Sequence, residues 1–304
     1  MNDFVTTLKT KTEEISEIVL KRLPKSDSFS AVIFEAMEYS VANGGKRLRP
    51  LMVKEVYEAL GGRKDKEEKL LEPFMAAIEM IHSSSLVHDD LPEMDNDLLR
   101  RGKPTTHAVY GQAMGVLAGD GLLNLAYETA ASALEAVADD HDDLKNAARA
   151  LKILGTKAGI YGMIGGQVVD VVNTGKPLSD EEIDFIYIGK TAALIESSLM
   201  MGAVLAGADN DTVDKFERIG RCTGIAFQIR DDILDETSTD EELGKPVHSD
   251  EENNKTTYVT IHGLDESQKK VDELTKEAEN LLTGLGLEDS FLAGLLKFLV
   301  TRTK

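Results

Sequence analysis

Hydrophobic residues recur at helical spacing along most of this chain. Near the N-terminus, Phe4, Leu8, Ile15, Val19 and Leu23 follow the 3.6-residue period of one face of a helix. We find no alternating hydrophobic and polar run that predicts a strand, and no turn sequence that predicts a hairpin. The pattern therefore predicts an all-α protein of about ten helices packed around one core.

Glycine, proline and acidic residues mark where these helices begin and end. A helix over Ser30–Ala42 is followed by Asn43 and two glycines, which is a typical stop signal. Pro50 is suited to the start of the next helix. The other predicted helices are 67–90, 111–138, 144–155, 183–188, 211–235, 266–285 and 289–302.

Composition narrows the class of protein. The 304 residues are 42% hydrophobic, include only 7 prolines and contain no linker-like segment, which predicts a single domain over residues 1–304. The net charge is −20 and no basic stripe is present, which excludes a nucleic-acid-binding protein.

Three features predict a cytoplasmic protein without a membrane span. The single cysteine, Cys222, fits a reducing compartment and is expected to pack as a small core residue. Residues 1–22 mix charged and apolar positions and lack the pattern of a signal peptide. The most apolar segment, 191–208, includes Glu196 and directly follows Lys190, so we predict a buried helix there.

Two aspartate-rich motifs carry the candidate chemistry. In the second motif, Asp231 and Asp235 are four residues apart and share one face of a helix, at the edge of a strongly apolar stretch. In the first motif, Asp89 and Asp95 are six apart, and Pro92 is expected to end the helix and bring Asp95 back towards Asp89. Either motif alone is equally consistent with an acidic surface; together they favour binding of hard divalent cations.

Short basic clusters near the acidic motifs suggest a phosphate-bearing substrate. Lys46 and Arg49 follow the glycine pair at 44–45, where backbone can approach a ligand, and His82 lies two helical turns before the first motif. Arginine binds phosphate oxygens bidentately, and lysine acts as a point charge. The combination indicates magnesium-assisted chemistry on a diphosphate ester.

These residues give the chain its resemblance to the trans-type isoprenyl diphosphate synthase family, of the short-chain farnesyl or geranylgeranyl type. The matches follow the family's order and comprise residues 44–50, His82, the first aspartate motif, 100–105, 117–120, 166–170, 190–192, 227–232, 243–246 and 254–258. The resemblance implies an all-α bundle with a deep central cavity, usually in a homodimer. It also implies three magnesium ions that bridge an allylic diphosphate to Asp89, Asp95 and Asp231, with Asp90 and Asp235 in support.

The resemblance further implies two sets of basic ligands. Those expected to contact the allylic diphosphate are Arg100, Lys190, Lys245 and Lys255. Those expected to hold isopentenyl diphosphate are Lys46, Arg49, His82 and Arg101. Thr191 and Gln228 are expected to line the reacting carbon, where their oxygens can stabilise an allylic cation in a dry cavity.

Product length is expected to depend on the residues just before the first motif. Farnesyl diphosphate synthases of the resembled family often carry a bulky aromatic residue five positions before the first aspartate. This chain has Ser84 there, next to Ser85. We therefore expect a lowered cavity floor that permits geranylgeranyl diphosphate or a longer product, unless Phe74, Met80 or side chains on the predicted helix 111–138 close the cavity.

Three alternatives remain open. A class I terpene cyclase shares the fold and the first motif, but it has no need of Lys46, Arg49 and Arg101. A non-catalytic subunit that modulates product length tends to lose one aspartate motif, and this chain keeps both. An acidic helical cation-binding protein does not explain the basic clusters.

Overall fold

Helices make up nearly all regular structure in the computed structural model, which describes residues 2–237 and 256–301. Within these ranges the α-helices are α1 (Asn2–Lys21), α2 (Ala31–Ala42), α3 (Leu48–Ala59), α4 (Glu72–Asp89), α5 (Thr106–Tyr110), α6 (Gln112–Ala136), α7 (His141–Ala158), α8 (Met163–Val172), α9 (Asp180–Ile186), α10 (Ala193–Leu205), α11 (Asn210–Thr237), α12 (Tyr258–Gly284) and α13 (Phe291–Thr301). A 3-10 turn lies at Lys64–Lys66, and π-helical turns lie at Glu67–Leu71 and Tyr187–Ala192. The prediction of an all-α fold is confirmed.

The expectation that no hairpin exists is wrong. Strands β1 (Leu99–Arg100) and β2 (Lys103–Pro104) form a short antiparallel ribbon. Arg101 and Gly102 connect the strands with φ angles of 55° and 75°. Two successive positive φ angles are typical of the tight turns that join paired strands. Two-residue strands are too short to show a period-two pattern, so the sequence carries no strand signal here.

Several helix boundaries also differ from those expected. α3 begins at Leu48, so Pro50 lies inside its first turn, where its missing N–H has no helical partner to lose. α8 is a helix that the pattern did not predict. α12 begins at Tyr258, where Thr257 and Thr260 form a capping box, and a kink at Gly263 (φ 77°, ψ 166°) separates this first segment from the helical run that the pattern predicts over 266–285.

By their internal contacts, the described residues belong to two compact units. The first unit comprises Met1–Lys152 with Val204–Gly207, and the second comprises Ile153–Ala203 with Ala208–Lys304. In the first unit, α4 packs against α6 and α3. In the second unit, α11 packs against α12, and the π-helical turn at Tyr187–Ala192 packs against α8 and α11. The prediction of one domain over residues 1–304 stays a prediction.

The most apolar helical run is buried. Asp180–Leu205 is long and apolar enough to cross a membrane by length and composition alone, but 83% of its most apolar window lies inside the protein. α4 is similar, because every residue from Phe74 to Ile81 is buried. Such helices are hydrophobic all round because protein surrounds them.

Candidate active site

The first aspartate motif is a turn that closes on the end of α4. α4 ends at Asp89, and Pro92 follows three residues later without an N–H to continue the helix. The backbone N–H of Asp95 donates to the carbonyl oxygen of Asp89 at 2.9 Å. The chain therefore returns to the helix end as Pro92 led us to expect, with Asp89 half-buried and Asp95 exposed.

Asp90 is held inside this turn by Arg100. Nε and Nη2 of Arg100 lie 2.6 and 2.5 Å from the same Asp90 oxygen, Oδ1. Burial raises the pKa of the Asp90 carboxyl even though the Arg100 guanidinium opposes that shift. Asp97 also pairs with Arg100, at 3.5 Å. Arg100, expected to contact a diphosphate, is thus tied to carboxylates of the first motif.

Arg47 is the most deeply buried arginine of the basic segment, and it has a structural role. Its side chain is 3% exposed, and Nη1 lies 2.7 Å from Oε1 of Glu79, whose side chain is equally buried. It also donates to the carbonyl oxygen of Val41 at 2.6 Å. Sequence reasoning assigned this segment to substrate and missed the Arg47–Glu79 pair, because nothing in the sequence marks a contact across 32 residues.

Gly45 makes room for Arg101. A Cβ atom at Gly45 would lie 2.7 Å from Nη1 of Arg101, which is closer than a real Cβ contact allows. Arg101 also donates through Nη1 to the carbonyl oxygen of Gly44. The glycine pair was expected to let backbone approach a ligand; the structure shows it accommodating the guanidinium of Arg101.

Arg49, Arg101 and His82 form a positively charged cluster in the first unit. Burial, followed by the nearby Arg49 and Arg101, lowers the pKa of His82 well below its usual value. Burial also lowers the pKa of Arg49, and its Nε is a buried donor with no hydrogen-bond partner in the described structure. Lys46 lies exposed nearby in sequence. A buried guanidinium donor that lacks an acceptor fits an anionic ligand such as a phosphate.

The second aspartate motif lies near the end of α11. Asp231 is half-buried, whereas Asp232 and Asp235 are each 5% exposed. The expectation that this face lies at the rim of the core, and not on an open surface, is confirmed. Asp231 and Asp235 lie one helical turn apart and so share a face of α11.

A hydrogen-bond network connects the second motif to the π-helical turn. The Thr191 hydroxyl donates to Oε1 of Gln228 at 2.8 Å, and Nε2 of Gln228 donates to Oδ1 of Asp232 at 3.1 Å. The Tyr187 hydroxyl donates to Oδ2 of Asp232 and accepts the backbone N–H of Tyr258 at 3.0 Å. Sequence reasoning brought Thr191 and Gln228 into the site but missed Tyr187, which it had no signal to find.

Lys190 and its neighbours line a cavity of the second unit. Lys190 Nζ lies 2.7 Å from Oδ2 of Asp170 on α8. The crossing of α8 with the π-helical turn is close because Gly166 and Gly189 face each other, and a Cβ on Gly189 would lie 2.7 Å from the Gly166 Cα. The cavity walls include Asp170, Tyr187, Lys190, Thr191, Gln228 and Asp232.

The remaining predicted site residues are Lys245, Lys255, Ser84 and Ser85. Lys245 and Lys255 lie outside the described residues. Ser84 is 3% exposed, and its hydroxyl donates to the carbonyl oxygen of Gly119 on α6 at 2.8 Å. The Ser85 hydroxyl donates to the carbonyl oxygen of His82 at 2.9 Å. Ser84 therefore lies at the packed contact of α4 with α6.

The donor set of both motifs suits magnesium. Carboxylate oxygens are the hard ligands that Mg²⁺ prefers, and Mg²⁺ usually takes only one or two of them and completes its shell with water and substrate phosphates. Among the described residues, no group of three or more acidic, histidine or cysteine side chains forms a complete metal site. The carboxylates of the two motifs are therefore suited to a metal that also binds substrate phosphates.

Comparisons with known proteins agree with this geometry. The family model described as polyprenyl synthetase matches residues 30–282. The chain is 41% identical over 300 residues to the heterodimeric geranylgeranyl pyrophosphate synthase large subunit 1, chloroplastic, of Arabidopsis thaliana, covering 97% of this chain and 77% of that protein. It is 39% identical over 302 residues to farnesyl diphosphate synthase of Bacillus subtilis, covering 99% and 98% of the two chains.

A solved structure extends the likeness to the fold. The geranyltransferase from Helicobacter pylori, crystallised with magnesium and isoprenyl diphosphate, matches with a TM-score of 0.82 at 33% identity, covering 98% of this chain and 96% of that one. Helices that carry two aspartate motifs and a basic cluster thus define a diphosphate-dependent enzyme of the isoprenoid synthase fold. The chain belongs to the polyprenyl synthetase family, as its motifs led us to expect.

Proposed function

We propose that this trans-prenyltransferase condenses isopentenyl diphosphate with allylic diphosphates to give farnesyl diphosphate, geranylgeranyl diphosphate or both. The observation that carries the proposal is the buried Nε of Arg49, which has no hydrogen-bond partner in the described structure. Arg49 lies close to Arg101 and His82. This cluster offers a site for a second diphosphate, distinct from the carboxylate motifs. The names of the Arabidopsis and Bacillus relatives support the same reaction.

The carboxylates would hold the metal. Asp89, Asp95 and Asp231 would bind magnesium, with Asp90 and Asp235 in support, and three ions are expected with the allylic diphosphate. Bound magnesium would neutralise charge on that diphosphate and make it a better leaving group. The magnesium in the Helicobacter pylori structure supports this part of the proposal.

The basic residues would divide between the two substrates. Lys46, Arg49, His82 and Arg101 would hold isopentenyl diphosphate in the first unit. The allylic diphosphate would contact Arg100, Lys190, Lys245 and Lys255. Arg100 and Lys190 are paired with Asp90 and Asp170 in the present structure, so phosphate oxygens would compete with carboxylates for them.

Thr191 and Gln228 would act on the cationic carbon. The allylic C–O bond breaks and its electron pair leaves with the diphosphate. The hydroxyl oxygen of Thr191 and the amide oxygen of Gln228 present negative dipole ends that stabilise positive charge. The double bond of isopentenyl diphosphate then attacks that carbon to form a C–C bond. A proton leaves the isopentenyl unit, and the released diphosphate accepts it.

The setting of this reaction is also part of the proposal. We expect one working domain, a homodimer and a cytoplasmic location. The Arabidopsis relative is named as the large subunit of a heterodimer, so a heteromeric assembly is the second candidate. Size measurement of the purified protein by light scattering distinguishes a monomer from a dimer.

A product assay tests the reaction. The purified protein is incubated with magnesium, isopentenyl diphosphate and, in turn, dimethylallyl, geranyl and farnesyl diphosphates, and products are identified by mass spectrometry. Chain elongation is the expected result. Cyclic hydrocarbons formed without isopentenyl diphosphate would instead identify a terpene cyclase. Absence of turnover with any of these substrates would favour a non-catalytic cation-binding protein.

Product length has its own test. Ser84→Tyr places an aromatic ring where α4 packs against α6, and we expect it to shorten the product. Ser85 is the second residue predicted to affect product length. Ser85→Tyr, one position along the helix, is therefore compared with Ser84→Tyr. If neither variant changes the product, the length is set by other residues.

A further inference from the structure

Tyr187 occupies a central position in the network of the second unit. It is the first residue of the π-helical turn that carries Lys190 and Thr191, and it is 6% exposed. Its hydroxyl donates to Oδ2 of Asp232 and accepts the N–H of Tyr258. π-helical turns inside α-helices are frequent at functional sites.

The chemistry of a carboxylate fixes the orientation of the network. A carboxylate only accepts hydrogen bonds, so Gln228 must present its NH₂ group to Oδ1 of Asp232. Its amide oxygen then faces the Thr191 hydroxyl, where the hydrogen bond is 2.8 Å long. The orientation of the Gln228 amide therefore depends on where the Asp232 carboxylate lies.

Tyr187 holds that carboxylate from the other side. Its hydroxyl uses its one hydrogen on Oδ2 of Asp232 and one lone pair on the Tyr258 N–H. Tyr258 is the first residue of α12, where backbone N–H groups have no partner within the helix. Bonds that run in series from N–H to hydroxyl to carboxylate polarise and strengthen one another.

We propose that Tyr187 is a positioning residue: its hydroxyl fixes Asp232, and through Asp232 it keeps the oxygen of Gln228 beside Thr191. The inference rests on the proposed function, because it assigns Thr191 and Gln228 to the allylic cation. Outer hydrogen-bond partners that orient metal ligands typically change affinity or activity about 10- to 100-fold when removed, and we expect an effect of that order here.

Tyr187→Phe tests the hydroxyl and keeps the ring. Steady-state kinetics with dimethylallyl and isopentenyl diphosphates should give a kcat about 10-fold lower. The KM for isopentenyl diphosphate should stay unchanged, because the Tyr187 hydroxyl is bonded to Asp232 and to the Tyr258 N–H, which are not among the proposed ligands of that substrate. The matched control is Tyr57→Phe, whose hydroxyl donates to the carbonyl oxygen of Arg63 at 2.8 Å in a buried site without catalytic residues. Equal kcat values for the two variants would overturn the proposal.

A double-mutant cycle tests the route through Asp232. If Tyr187 acts through that carboxylate, Tyr187→Phe should change kcat less than twofold in an Asp232→Asn background. Two effects that multiply independently would overturn the route. The wild-type protein serves as the reference. An inactive wild type would refute the proposed function. An active wild type with an unaffected Tyr187→Phe variant would refute only the role of Tyr187.

A measurement without metal or substrate gives an independent readout. Tyr187→Phe removes the acceptor of the Tyr258 N–H, so exchange of this amide with deuterated water should become about 10-fold faster. The Tyr57→Phe control should leave the exchange rate of Tyr258 unchanged. An unchanged exchange rate in Tyr187→Phe would contradict the role of the hydroxyl at the start of α12.

Discussion

The second aspartate of each motif is buried, but the two are held in different ways. Asp90 is 4% exposed, and one of its oxygens accepts a hydrogen bond from Nε of Arg100 and forms an ion pair with Nη2. Asp232 is 5% exposed and divides its two oxygens between the neutral donors of Gln228 and Tyr187. Asp90 is thus held by a charged guanidinium, whereas Asp232 accepts hydrogen bonds from two neutral groups.

The difference between the surroundings of Asp90 and Asp232 indicates which interactions the function of each region depends on. In the first unit, arginine side chains lie close to the site; burial is the main cause of the lowered pKa of His82, and the charges of Arg49 and Arg101 add to it. In the second unit, the network depends on which groups donate and which accept. We therefore expect the first region to respond to changes in charge, and the second to changes in hydrogen-bond pattern.

The largest effect is expected at Asp231, the first aspartate of the second motif, which we propose binds magnesium. Asp231→Asn should lower kcat/KM on the order of 1,000-fold, because metal stabilisation of developing charge is worth several kcal/mol. Steady-state assays measure the loss. The control is Asp211→Asn on the same helix, where the carboxylate only pairs with Lys215 at the surface. A small loss at Asp231 would remove it from the metal site.

Replacing each buried aspartate in turn by asparagine distinguishes the effect of losing a charge from the effect of changing the hydrogen-bond pattern. In Asp90→Asn the amide oxygen can still accept the hydrogen bond from Nε of Arg100 and lie beside Nη2. In Asp232→Asn the new NH₂ group meets the Tyr187 hydroxyl, so one hydrogen loses its acceptor at a cost of about 1–3 kcal/mol. We expect kcat to fall about 10-fold further in Asp232→Asn than in Asp90→Asn. The reverse order would break the comparison.

Substitutions at two neighbouring glycines test the role of Arg101 in the first region. Gly45→Ala should displace Arg101 and raise the KM for isopentenyl diphosphate about 10-fold, because a charge-assisted hydrogen bond is lost. Gly44→Ala is matched, since its φ is also positive but its Cβ would meet open space. Both variants should lose stability by a similar amount. An equal rise in KM would mean that backbone strain, and not Arg101, is responsible.

The smallest expected effect is a pH dependence. Because His82 has a lowered pKa in the folded protein, the unfolded chain binds a proton first as pH falls below about 6.5. The free energy of unfolding should therefore fall by about 1 kcal/mol per pH unit below that value. Urea unfolding of His82→Gln should lack this contribution, while the exposed His141→Gln should retain it. Parallel curves for wild type and His82→Gln would contradict the assignment.

Local patterns predicted the helices and the positions of the acidic motifs. The helical period is repeated over many residues in each element, and the turn after Asp89 follows from the absence of an N–H on Pro92. The order and spacing of the acidic and basic motifs were sufficient to identify the family. These features depend on neighbours in sequence, so they can be read from the sequence.

Features that depend on distant contacts could not be predicted. Tyr187 and Asp232 are 45 residues apart, and no local signal links an aromatic residue in an apolar helix with a carboxylate. The Arg47–Glu79 pair is missed for the same reason. Gly45 stands out in the sequence as half of a glycine pair, but only the structure shows that it accommodates Arg101.

The central claim is that a basic cluster in the first unit holds isopentenyl diphosphate independently of the second aspartate motif. Calorimetric titration of wild type, Arg101→Gln and Asp231→Asn with isopentenyl diphosphate, in metal-free buffer, tests this claim most directly. The account predicts that Asp231→Asn binds as wild type does, and that Arg101→Gln binds about 10-fold more weakly. Wild-type affinity in Arg101→Gln, or loss of binding in Asp231→Asn, would contradict it.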